Sequence, residues 1–150
     1  MVEKMTEINS KIETSKKIPK FAWILLIILG VVDLVRGIFH TIFVEFAAVE
    51  IMGLDLTHSG ADQIILMTSF GASNLITGII FILIGMKARH LSPIILTVIP
   101  LPYFLVMILS RIKGISTEAD LGGLPMLTVY LIVSFTVGVI SLILQNKNKK

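Results

Sequence analysis

An acid, a guanidinium and an imidazole share one face of an otherwise apolar segment: Gly30-x-x-Asp33-x-x-Arg36-Gly37-x-x-His40. At about 100° per residue, Asp33, Arg36, Gly37 and His40 occupy roughly a third of a helix circumference. Such a stripe could hold an ion pair, carry a proton or bind the polar end of a ligand. Asp33 and Arg36 stand at i, i+3, within reach of each other. His40 could carry a proton, since an unperturbed imidazole has a pKa of about 6.5, or it could be a polar residue at an interface.

The segment around the stripe is one of four that could cross a membrane. The 150 residues are 55% hydrophobic and 15% charged, with a mean hydropathy of +0.92. A soluble domain of this size would carry more apolar side chain than it could bury, so lipid must solvate the excess. A spanning helix needs about 20 apolar residues for a core roughly 30 Å thick. Residues 21–44, 64–86, 91–110 and 124–144 meet that length. The reading is an all-α integral membrane protein, a four-helix antiparallel bundle over 21–145. A cytoplasmic arm (1–20) precedes it and a short polar tail (146–150) follows.

Loop charges set the orientation. Lys16, Lys17, Lys20, Lys87, Arg89, Lys147, Lys149 and Lys150 fall on one side; Arg111 and Lys113 fall on the other, among Glu45, Glu50, Asp55, Asp62, Glu118 and Asp120. Basic residues favour the cytoplasmic side, which places both termini there and the protein in the cell membrane. The formal charge of +3 belongs to topology and gives no reason to expect nucleic acid. The absence of cysteine excludes disulfides and thiolate metal sites.

The segment 45–56 mixes apolar residues with acids and suits an interfacial helix ending at Gly53. Ser59-Gly-Ala-Asp62 resembles a capping box opening the second span. Gly122-Gly123-Leu124-Pro125 reads as a turn into a helix with proline in its first turn.

At 1.5 Å per residue, Asp33 lies about 18 Å from the start of the first span, near the bilayer centre. A charge there costs at least a few kcal/mol and normally faces the protein interior and pairs. Asn74, Tyr103 and Ser134 come to a similar depth on the other spans, and Tyr130 nearer the level of Arg36. Pro100 and Pro102 leave the carbonyls of Leu96 and Val98 without helical donors, so these need other partners or water. Asp33, Arg36, His40, Asn74, Tyr103, Tyr130 and Ser134 are therefore the candidate mid-membrane cluster, for binding a ligand or for fixing the fold. A structural ion pair fixing helix rotation is the plain reading of Asp33 and Arg36, and an interhelical hydrogen bond that of Asn74. Gly71, Asn74, Gly78 and Gly85 on the second span, and Ser134, Gly138 and Ser141 on the fourth, are small or polar faces that let backbones approach. Metal and haem are not expected, because His58 and His90 fall far from His40.

The layout of Gly30, Arg36-Gly37 and His40 on a first helix resembles the DoxX-like group of small four-helix membrane proteins. An outer interfacial segment and a second helix with Phe70-Gly71-Ala72 and Gly78 complete the likeness, which covers most of residues 20–145. The resemblance implies a membrane-embedded accessory or scaffold protein, associated in some relatives with quinone or redox complexes. Asp33 lies outside that pattern.

Three functions compete. The leading one is a non-catalytic protein binding a lipid-like or quinone-like molecule, or a partner subunit, through the cluster. It involves no catalytic residue and needs no cofactor, though a quinone is compatible. A second is a proton-coupled transporter working as a homo-oligomer with Asp33 as the titrating group; binding unchanged across pH, or unaffected by Asp33→Asn, would exclude it. A third is a lipid-modifying enzyme using Asp33 or Glu45 with His40. The five-residue spacing of His40 and Glu45 sets them about 140° apart on a straight helix, which disfavours that pair.

Overall fold

The computed structural model describes residues 18–114 and 124–147; residues 1–17 of the arm expected at 1–20, the Gly122-Gly123 turn, and residues 148–150 of the tail expected at 146–150 lie outside these. The described residues are helical and contain no strand. In chain order they form α1 (Lys20–Thr41), a short α2 (Val44–Phe46) running into a π turn (Ala47–Ile51), α3 (Gly60–Lys87), a 3-10 turn (Arg89–Leu91), α4 (Ser92–Val98), α5 (Pro100–Ile112) and α6 (Leu124–Lys147). Four stretches are long and apolar enough to cross a membrane: Lys20–Thr41, Gly60–Lys87, Arg89–Ile112 and Leu124–Lys147.

α1 and α3 make the most extensive contact, and glycines are the reason. A Cβ built on Gly78 would sit 2.6 Å from the Gly30 carbonyl oxygen, and one on Gly71 would sit 2.8 Å from the His40 carbonyl carbon. Only hydrogen fits there. Glycine in a helix interior costs about 1 kcal/mol relative to alanine, a penalty that close backbone approach offsets. The contacts run Gly71 to His40 and Thr41, Leu75 to Gly37, Gly78 to Gly30 and Gly85 to Trp23, so the two helices are antiparallel. Their glycines recur every seven residues, at 30 and 37 on α1 and at 71, 78 and 85 on α3.

A second seam joins α4 to α6, where a Cβ on Gly138 would meet the Thr97 backbone nitrogen at 2.7 Å. The two seams meet through Ala22, Leu26, Leu29, Phe81, Leu96, Tyr130 and Leu131, all buried. At one end of this packing the Arg89 guanidinium lies 4.3 Å from the Trp23 ring centroid, bringing the start of the third span beside the start of the first.

Proline splits the third span. Pro100 supplies no N–H to Leu96, and the helix is interrupted at Ile99. Ser134, fully buried on α6, donates its Oγ–H to the Leu96 carbonyl at 2.9 Å. The partner required for that carbonyl is thus a side chain on another helix. Among the described residues no side chain donates to Val98. Beyond the break, α5 packs thinly: Leu105, Val106 and Ile108 are 57%, 60% and 56% exposed. Phe104 is its main anchor, edge-on to Phe135 at 6.1 Å.

The connection from α1 to α3 corrects one local expectation. Ser59 does precede α3, but its φ is +54° and its side chain caps nothing. A capping box needs the extended backbone that aims the cap oxygen at the helix N–H groups. Here Gln63 closes the corner instead, its Nε2 donating to the Asp55 and His58 carbonyls at 3.2 and 3.1 Å. Gly53 ends the helical segment before it as its type suggests, with φ +65°. At the other end of the chain, the α6 helix continues through Lys147, so the polar tail expected from 146 begins as helix.

Candidate functional site

Each helix that contributes to the polar cluster is held in rotation by one of the seams. With Gly30 and Gly37 against α3, Asp33 turns toward α6 and becomes buried, at 4% exposure. There the Tyr130 hydroxyl donates to Asp33 Oδ2 at 3.2 Å. Arg36 Nη1 lies 3.8 Å from Asp33 Oδ1. That is ion-pair distance and too long for a good hydrogen bond. The side chains differ in access, with Arg36 26% and Asp33 6% exposed. The acid is enclosed, and the base points outward past it.

One turn further along α1, His40 stands beside Arg36. Its Nδ1 is enclosed by protein and finds no hydrogen-bond partner among the described residues. Arg36 and His40 both line a cavity of about 310 Å³. Val35, Phe39, Ile51, Met52, Leu124, Met126 and Leu127 form the rest of its wall. Three elements therefore build the cavity: the last turns of α1, the end of the π turn and the first turn of α6. Ala47 and Ala48 are fully buried against Met67 and fix the π turn in place. Pockets that hold small molecules are typically of this volume or larger, mostly apolar, with a few polar groups converging.

The remaining sequence candidates make no hydrogen bond to Asp33 or Arg36 among the described residues, although Tyr103 lies near Tyr130. Ser134 lies one turn from Tyr130, but its hydroxyl serves the Leu96 carbonyl. Asn74 is half-buried on α3 near the level where Leu75 meets Gly37, and it makes no hydrogen bond to the cluster among the described residues. Tyr103 is 44% exposed on α5. Glu45 is exposed on α2, past the end of α1. No group of three or more potential metal ligands occurs among the described residues.

The exposed and half-buried hydroxyls of α3 form no second site. Thr68, Ser69, Ser73 and Thr77 each donate to the carbonyl four residues earlier, at 2.8 to 3.1 Å. Each is satisfied within its own helix and can face lipid.

The apolar contributors to the cavity were not singled out by sequence reasoning. Met52, Met126 and Leu127 look like any other apolar residue at a helix end or in a loop. Their one sequence signal is position: all lie near the depth reached by Arg36 and His40, at the ends of adjacent segments. No family model, curated protein or solved structure matches the chain.

Proposed function

We propose that this chain is a cell-membrane protein, a four-helix antiparallel bundle with both termini in the cytoplasm, that binds a lipid-like or quinone-like molecule without transforming it. The observation that carries this reading is the cavity beside the ion pair, with apolar walls and polar atoms supplied by Arg36 and His40. An amphiphile would seat its polar end at Arg36 and His40 and lay its chain along Phe39, Met52 and Met126. Asp33 and Tyr130 serve the site from behind, offsetting the Arg36 charge and limiting its rotation. The DoxX-like layout agrees with an accessory role in the membrane, and a partner subunit would reach the same ligand from outside.

The test compares wild type with Met126→Trp in lipid discs made from the membranes of the cells expressing it, by native mass spectrometry. Met126 is 53% exposed and lines the cavity, so an indole there fills the space without entering the core. A discrete bound molecule carried by wild type and absent from the variant supports the reading. Identical bound species in both forms, limited to bulk lipid, would overturn it.

A further inference from the structure

Building on the binding reading above, we infer that the ligand is an amphiphile with an acidic headgroup, a carboxylate or a phosphate monoester, held by Arg36 and His40. The charges at the cavity have a direction. Of the Asp33–Arg36 pair, the arginine lines the cavity and the aspartate does not. A ligand inside meets the cation first and finds the anion behind it, already engaged by the Tyr130 hydroxyl.

Hydrogen-bond capacity points the same way. A guanidinium offers five N–H donors and no acceptor. The nearest Asp33 oxygen is 3.8 Å from Nη1, and no hydrogen bond from Arg36 exists among the described residues. His40 lines the same wall, with its Nδ1 enclosed by protein. The donors left unspent at the polar end of the cavity are therefore those of the Arg36 guanidinium, the complement of a group rich in acceptors. Carboxylates and phosphates match a guanidinium in two-point geometry, and charge-assisted bonds are roughly twice as strong as neutral ones. A neutral hydroxyl or carbonyl would leave most of this capacity unused.

At about 310 Å³ the cavity is at the small end of the range of ligand pockets, room for a headgroup and the start of its apolar part. The remainder of the amphiphile continues into the surrounding lipid.

The experiment uses the full chain in phosphatidylcholine discs and three probes of equal chain length: oleate, oleyl phosphate and oleyl alcohol. Bound probe is counted by native mass spectrometry for wild type, Arg36→Gln and Met126→Trp. One or both acids should be retained at least about tenfold over the alcohol by wild type, with Arg36→Gln reducing that ratio to about one and Met126→Trp losing all three. Whether oleate or oleyl phosphate is favoured identifies the acid. Equal retention of acids and alcohol by wild type overturns the headgroup assignment while the cavity still binds. Retention of none of the three overturns the assignment and the binding reading together. His40→Phe tests the assignment without disturbing the ion pair: it should lower the acid-to-alcohol ratio about threefold, and an unchanged ratio counts against it.

Discussion

The α1–α3 seam and the α5 end of the third span are both apolar, yet they are built in opposite ways. Along the seam the side chains have been removed, and backbone meets backbone at Gly30, Gly37, Gly71 and Gly78. On α5 the side chains are large and branched, and most face outward. In lipid there is no hydrophobic force pressing helices together, because acyl chains are as apolar as leucine. Close fit is what holds them, and glycine supplies it. The comparison teaches that bulk hydrophobicity places a helix in the membrane, whereas small residues decide which helices hold each other. The cavity sits beside the less tightly packed pair, where α6 meets the end of α1 without glycine at the contact.

The largest expected effect breaks the seam. Gly78→Val puts a branched Cβ against the Gly30 carbonyl and the Leu34 backbone, so neither neighbour can move aside cheaply. A loss of about 3 kcal/mol is expected from overpacking, read as a lowered unfolding midpoint in discs. A wild-type midpoint would mean that the seam does not hold the helices.

Next is the hydrogen bond across the proline break. Ser134→Ala strands the Leu96 carbonyl and should cost about 1–2 kcal/mol. Adding Pro100→Ala returns a backbone N–H to that carbonyl, so the double variant should recover part of the loss. A cycle with coupling below about 0.3 kcal/mol would show that the two sites act independently.

Tyr130→Phe should cost less, about 1 kcal/mol, since measured hydrogen bonds between membrane helices are modest. It also frees an Asp33 oxygen for Arg36. Probe retention by Arg36 should then fall with little change in unfolding, and the two readouts together separate this residue from a purely structural one. The smallest effect belongs to Leu105→Ala on α5, expected within about 0.5 kcal/mol of wild type. A cost equal to that of Leu131→Ala, in the buried core, would erase the contrast between the two regions.

Acid titration probes the connection between α1 and α3 separately. The Thr57 N–H donates to Asp55 Oδ1 at 2.9 Å, which holds the Asp55 carboxyl below its ordinary value. A depressed folded-state pKa contributes stability above the unfolded pKa, about 3.9, and loses it as pH falls through the folded value. From this group no change is expected between pH 5 and 8, and loosening of the loop should begin only below about pH 4, detectable as faster amide exchange at Thr57.

The four apolar stretches were legible because length and hydropathy are summed over many residues and tolerate error at the ends. The glycine and serine faces were legible too, since a seven-residue spacing survives any small error in phase. The consequence of Pro100 could be stated in advance because it follows from covalent structure: a residue without N–H leaves a carbonyl four positions back. Counting along each span placed Ser134 level with Asp33 and Tyr130 nearer Arg36, whereas it is the Tyr130 hydroxyl that reaches Asp33. Rotation did not follow. Whether Asn74 and Tyr103 face the cluster depends on how each helix turns about its axis, and distant packing fixes that. The left-handed backbone at Ser59 escaped notice for a related reason. Its sequence fits a capping box, and only the approach of Gln63 to the Asp55 and His58 carbonyls decides otherwise.

The bond from Ser134 to Leu96 has a further consequence, for the order in which the chain is assembled. As the third span leaves the ribosome and enters the membrane, its Leu96 carbonyl has no donor, because the one it uses lies 38 residues later. An unmet carbonyl in hydrocarbon is costly enough to keep that segment near water or the insertion machinery. The third and fourth spans should therefore enter lipid as a pair, and a chain ending before Ser134 should insert its third span less completely than one ending after it.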